Sequence, residues 1–385
     1  MSDLCLKTKI IFDLYEYLYS HIGFNYKITI YNPIQLKNGS IVIYSASNIS
    51  ILDKKLSSNK IKSFYDEENE KEEELPIISN IKQIKNGKLL CCGKDLFILE
   101  IKLKIIINSK KIILSDDETI FDIVELKNGK ILGITNKSLV EIINKNKNYE
   151  IFQIFKIPDN WFITANSKTM RFFSNFRQYM DLYELPNNRL LIHSHSTELS
   201  HNGGCGTHPP SEIYENKIYS INLENFEIIH CCEEYDSEIN IVILDKYICI
   251  SNCYKRSWNN IIDIYSINDF KLITKIIDKF KANYIVKYNE NIIIGISKKE
   301  NKNNIIAYNL SNLEDIKYKL FKTDFIKFKK KYYNSIYEVR YSKNKSICIL
   351  KNGSILIICH GLIMMVDFPG LLPLLPFISL NQIKS

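Results

Sequence analysis

The chain has 385 residues, 45% of them hydrophobic and 24% charged, with a net charge of +8 from 51 basic and 43 acidic side chains. That apolar share excludes a disordered chain, and the length exceeds one ordinary compact core but suits a repeat array or closed ring. A mild lysine excess is no nucleic-acid footprint unless it clusters on one face, so nucleic acid is not an expected partner.

From the N-terminus, Met1 to Lys9 is polar and has no apolar core ending at a cleavage site, so no secretory signal is expected. Residues 1–31 form a segment of their own. Ile11, Leu14, Tyr15, Leu18 and Ile22 have helical spacing, which reads as a short docking helix. The other reading is that part of the segment, such as Tyr26 to Tyr31, is an outer strand that closes a ring by pairing with the far end of the chain.

Residues 32–368 carry a repeat. Leu36-Lys37-Asn38-Gly39, Ile84-Lys85-Asn86-Gly87, Leu126-Lys127-Asn128-Gly129 and Leu350-Lys351-Asn352-Gly353 each precede a run of aliphatic residues. Asn-Gly between apolar runs predicts a hairpin with a type I′ turn, both central residues at positive φ. Three eroded copies lie between, around Tyr183–Ile192, Ile243–Ile250 and Val286–Gly295, for seven in all. Their spacing of roughly 42 to 62 residues is that of propeller blades. Fourth strands are expected at Lys102–Ile107, Tyr149–Phe155, Phe226–Cys231, Lys271–Ile276 and Ile316–Phe321. The prediction is an all-β seven-bladed β-propeller of four-stranded antiparallel blades, its ring closed by strands from both termini.

The pattern of Asn-Gly, basic residue, apolar strand, turn and Ile-x-Ile-Tyr/Leu-Asp resembles the WD-repeat-like β-propellers from about Pro33 to Asp367. The Gly-His and Trp-Asp dipeptides of that superfamily are absent, so no His/Asp network carries over with the resemblance. The Ile-, Lys- and Asn-rich composition is similar to that of giant-virus or protist proteins.

Three segments depart from the repeat. Asp66 to Glu74 is acidic and reads as a solvated loop or a docking strip for a basic partner. Residues 159–181 hold Trp161, Phe162, Phe172, Phe173 and Phe176, which read as buried packing or as a partner site. His193 to Pro210 gathers four of the seven histidines and one cysteine. His193, His195, His201, Cys205 and His208 are the candidate metal ligands, zinc being the ion that imidazole and thiolate favour; the alternative is a polar loop facing a wet channel. No catalytic constellation, phosphate-cradling loop or other cofactor site is expected.

The C-terminal stretch Ile355 to Leu380 is the most apolar, but His360, Asp367, Pro369, Pro373 and Pro376 interrupt it. It reads as two core strands and a Pro-rich tail, residues 369–385, rather than a membrane span of about 20 residues. Ten cysteines, several inside apolar runs, fit a reducing, intracellular and cytoplasmic setting. The function expected first is a non-enzymatic scaffold that binds protein partners through its faces and loops. The alternative is a metal-dependent hydrolase built on the His-rich segment.

Overall fold

The computed structural model describes residues 5–6, 9–13, 33–44, 49–52, 78–102, 105–112, 114, 118–145, 148–158, 177–200, 211–231, 235, 239–253, 260–278, 282–297, 304–323, 347–359, 362–368 and 378–379. Two N-terminal strands, β1 (Cys5–Leu6) and β2 (Lys9–Asp13), come first. Blade 1 holds β3 (Ile34–Gln35), β4 (Ile41–Tyr44) and β5 (Ile49–Leu52). Blade 2 holds β6 (Ile78–Gln83), β7 (Leu89–Gly93), β8 (Leu96–Lys102) and β9 (Ile105–Ile112). Blade 3 holds β10 (Ile120–Glu125), β11 (Ile131–Thr135), β12 (Ser138–Lys145) and β13 (Asn148–Lys156). Blade 4 holds β14 (Arg177–Leu185), β15 (Arg189–Ser200), β16 (Ser211–Asn222) and β17 (Ile228–Cys231). Blade 5 holds β18 (Ile239–Ile243), β19 (Tyr247–Cys253), β20 (Asn260–Ser266) and β21 (Leu272–Asp278). Blade 6 holds β22 (Ala282–Asn289), β23 (Ile292–Ser297), β24 (Asn304–Asn309) and β25 (Lys317–Thr323). Blade 7 holds β26 (Ile347–Ile349), β27 (Ile355–Cys359) and β28 (Leu362–Val366), and β29 (Ile378–Ser379) follows.

The chain is an all-β, seven-bladed β-propeller. Among the described residues no helix is long and apolar enough to cross a membrane. The blades fall into two compact units, one of blades 2, 3 and 4 and one of blades 1, 5, 6 and 7. The turn Ile267–Lys271 belongs with blades 2–4. Buried Arg189 donates to the carbonyls of Ile267 at 2.6 Å and Asn268 at 2.7 Å and holds it there.

In the second unit the outer strand of blade 7 comes from the N-terminus: β2 pairs antiparallel with β28, Lys9 opposite Met365. The closing strand is thus Lys9–Asp13, and Ile11 is in a strand rather than a helix; Tyr26–Tyr31 lies outside the described residues. The outer strand of blade 6 is lengthened by β1 in parallel and by β29 antiparallel, so the C-terminal tail re-enters the sheet at Ile378–Ser379. Both additions occupy an edge that would otherwise expose unpaired backbone groups. In blade 2, β8 runs on to Lys102, so the fourth strand begins at Ile105 rather than at Lys102.

Each residue of the Lys-Asn-Gly phrase has a separate task. Only glycine takes positive φ, from +80° to +90° at Gly39, Gly87, Gly129 and Gly353. The turn is therefore a type I turn ending in a left-handed glycine, not type I′. Gly39 N donates to Leu36 O at 2.9 Å, and Leu36 N donates to Ser40 O at 2.7 Å. The asparagine is selected by its side chain: Asn38, Asn86, Asn128 and Asn352 each accept the N–H two residues on, at 2.9 to 3.0 Å. The lysine reaches the next blade: Lys85 Nζ donates to Leu126 O at 2.7 Å, and Lys351 Nζ donates to Lys37 O at 2.8 Å. Among the described residues two consecutive positive φ values occur at Asn187 and Asn188, in the three-residue turn of an eroded copy.

The second strands β4, β7 and β11 are buried along their whole length, because both faces of a blade are covered. Adjacent Cys91 and Cys92 are for that reason both buried. Burial pushes the thiols of Cys91 and Cys249 up to about 12, so they pack as small hydrophobes and do not react as thiolates. Blades 3 and 4 share a core of Leu126, Leu132, Ile134, Met180, Leu182, Leu190 and Ile192. In the other unit, blades 6 and 7 join through Ile294, Phe321, Ile357 and Phe368.

Gly295 marks a close approach: a Cβ there would stand 2.7 Å from Ala282 Cβ and 3.2 Å from Tyr284 O, neither able to rotate away. Gly295→Ala should therefore cost about 2 to 3 kcal/mol by overpacking. Gly129→Ala, with φ +88° and open space around it, should cost about 1 to 2 kcal/mol from backbone strain alone. Urea midpoints of the two variants check the order; Gly129→Ala as the more damaging would contradict the packing.

Candidate metal centre on blade 4

The site grows from a second repeat. Four residues before the apolar residue that opens each turn stands an Asn or Asp: Asn80, Asp122, Asp181 and Asn240 in blades 2 to 5. These fall on the first strands β6, β10, β14 and β18. A short amide or carboxylate there can bond its own backbone and still reach a neighbouring strand. Asn80 Oδ1 and Asp122 Oδ1 each accept the next residue's N–H at 2.8 Å. Asn80 Nδ2 donates to Asp122 Oδ1 at 2.7 Å, and Leu182 N donates to Asp122 Oδ2 at 2.9 Å. In the other unit Ile285 N donates to Asn240 Oδ1 at 2.8 Å.

Asp122 is 1% exposed and also faces Lys82 Nζ at 3.3 Å. Burial pulls the Lys82 ammonium down, but the charges of Asp122 and then Asp181 outweigh it and hold its pKa above the ordinary value. Burial, reinforced by the same two carboxylates, pushes the Tyr183 phenol well up, so it remains a neutral O–H. Blades 2, 3 and 4 thus contribute two carboxylates, one cation and one phenol to a single electrostatic cluster.

In blade 4 the repeated acid lies beside the histidines. The β14–β15 hairpin pairs Asp181 with His193, and His195, two residues on, shares that face. Met180, Leu182, Leu190 and Ile192 alternate onto the other face and pack with blade 3. His193 Nδ1 lies 3.4 Å from Asp181 Oδ2, and His195 Nδ1 lies 3.9 Å from the same oxygen. The two rings stack with centroids 4.6 Å apart. One ligand atom from each of the three residues falls within 4.8 Å of the others. His193 Nε2 is 3.0 Å from Asn216 Oδ1, and Asn216 Nδ2 donates to Tyr235 O at 2.8 Å. The His193 side chain is 3% exposed and His195 and Asp181 keep 12% and 16%, while His195 Nδ1 itself is buried.

Of the expected ligands, His193 and His195 come together, both within strand β15 rather than in a loop. His201, Cys205 and His208 lie outside the described residues. Asp181 and Asn216 were not among the expected ligands. Counting back from the three-residue turn Pro186–Asn188, across which Leu185 faces Arg189, pairs Asp181 with His193, and the Asn/Asp repeat marks position 181 independently.

No protein-family model matches the chain, and no curated protein matches it in sequence. Among solved structures, virginiamycin B lyase from Staphylococcus aureus is similar at a TM-score of 0.52 and 12% identity, over 94% of this chain and 98% of that one. A catalytically inactive form of that lyase with quinupristin is similar at 0.50 and 13%, over 94% and 99%. The WD40 domain of Neurospora crassa Pan2 is similar at 0.37 and 8%, over 75% and 89%. At these identities the likeness is one of fold alone.

Proposed function

We propose that the protein is a metal-dependent hydrolase whose ion is held by Asp181, His193 and His195. The observation that carries the reading is the convergence of three ligand atoms within 4.8 Å on two paired strands. Two imidazoles and one carboxylate are donors that suit zinc, and three protein ligands leave a fourth position for water, as catalytic rather than structural zinc requires. A water so bound is a nucleophile near neutral pH. The charge of Asp181 also acts on Lys82 and Tyr183, which ties the cluster to the Asp122 network. The buried thiols agree with a reducing, cytoplasmic location.

Metal analysis of protein purified without a His-tag tests the reading. One equivalent of zinc, with a loss of thermal stability on chelation, is expected; no stoichiometric metal and no effect of chelator would sink it.

The scaffold reading is favoured by a different observation. Exposed large apolar side chains fall on outer strands: Phe152 on β13, Ile228 and Ile229 on β17, and Leu272, Ile273 and Ile277 on β21. Ile273 and Ile277 share one face of β21 and are 47% and 60% exposed, which suits a protein partner. Replacing both with Lys should leave folding and zinc content unchanged and abolish crosslinking to any partner captured by the wild-type protein from its native source. Undiminished crosslinking would count against that surface.

A further inference from the structure

We infer that Asn216 is a positioning residue that holds His193 in its Nε2–H form and so presents Nδ1 to the ion, an inference that rests on the metal reading above. Asn216 is buried, and its Nδ2 donates to the carbonyl of Tyr235, a group that can only accept. That contact fixes which way the amide faces, and an isolated antiparallel bridge between Asn216 and Tyr235 keeps the carbonyl in place. Oδ1 is therefore the atom turned to His193 Nε2 at 3.0 Å. Oδ1 also only accepts, so Nε2 carries the proton.

With Nε2 turned to Asn216, Nδ1 is the ring nitrogen on the side of Asp181, 3.4 Å from its Oδ2. A cation between them turns both into ligands. The gaps of 3.4 and 3.9 Å from Asp181 Oδ2 to the two Nδ1 atoms approach the edge of a tetrahedron with bonds of about 2.0–2.1 Å, which is about 3.4 Å. Without the Asn216 carbonyl, His193 would move its proton to Nδ1 and donate to Asp181 directly, closing the site on itself. The amide thus selects the tautomer that binds an ion over the one that quenches the site, the task that carbonyl and carboxylate partners perform for metal-bound histidines.

The test reads the tautomer and the ion separately. In metal-free wild-type protein, two-bond 1H–15N correlation spectra should show His193 as Nε2–H with Nδ1 unprotonated. In Asn216→Leu the proton should move to Nδ1 and zinc affinity should fall by about 10- to 100-fold. Asn216→Asp, which keeps an acceptor, should retain the Nε2–H form and bind zinc more tightly than the Leu variant. Nδ1–H in the metal-free wild type overturns the inference even if zinc binds. Nε2–H in a protein that takes up no zinc overturns the metal reading alone. Should Asn216→Leu not fold, the wild-type spectrum and the Asp variant decide.

Discussion

Asp122→Ala is expected to destabilise the protein by about 4 kcal/mol, the largest effect of any single side chain described above. Its two oxygens receive the Asn80 amide, the N–H groups of Ile123 and Leu182, and the Lys82 ammonium, at 2.7 to 3.3 Å. Truncation strands the three buried N–H donors and leaves Lys82 without its ion pair. A buried donor left without an acceptor costs about 1–3 kcal/mol, and removing one member of a buried ion pair about 3–5 kcal/mol. These terms overlap, since Lys82 is 40% exposed and can turn to water. A domain of ordinary stability has about 5–15 kcal/mol to lose. Asp122→Asn, which keeps the shape and one acceptor oxygen, should cost less than half as much. Urea unfolding of the two variants decides the matter. An Ala variant within about 1 kcal/mol of wild type would mean that Asp122 does not join blades 2, 3 and 4.

Replacing His193 and His195 together with Ala is expected to lower zinc affinity on the order of 10⁴-fold. A four-ligand zinc site is worth about 10–16 kcal/mol, or about 3 kcal/mol for each ligand, and every 1.4 kcal/mol is tenfold. Asp181→Asn, which retains a weaker oxygen donor, should lose on the order of 100-fold. The same variants separate the ion's contribution to stability from that of packing. Chelation should lower the melting temperature of the wild type and leave the double variant where it was, because only a binder of the native state stabilises it by mass action. Calorimetric zinc titration with paired melting curves reads both effects. A double variant that binds zinc as tightly as wild type would move the site elsewhere in the chain.

How the sequence foretold these features differs from residue to residue. The Leu-Lys-Asn-Gly phrases located the blades because glycine is needed at one fixed backbone position per turn. The choice of turn type went wrong because Asn-Gly alone does not distinguish a residue selected for its backbone angle from one selected for its side-chain bond to the N–H two residues on. The closing strand was misplaced because Ile11 and its neighbours satisfy a helical spacing locally, whereas a distant partner, β28, decides that Lys9–Asp13 is extended. At the candidate metal centre His193 and His195 stand out by composition. Asp181 does not, because its signal lies not in its neighbours but in the Asn/Asp repeat across blades and in the hairpin register. Asn216 is further still from view, since its role depends on the carbonyl of Tyr235.

Zinc-edge X-ray absorption on the zinc-loaded full chain reads the ligands of the ion themselves. Two imidazole nitrogens and oxygen donors at about 2.0–2.1 Å are expected, with one imidazole lost in His195→Ala. A sulfur scatterer at about 2.3 Å, which would bring a cysteine such as Cys205 into the shell, or a spectrum unchanged by that substitution, would contradict this ligand set.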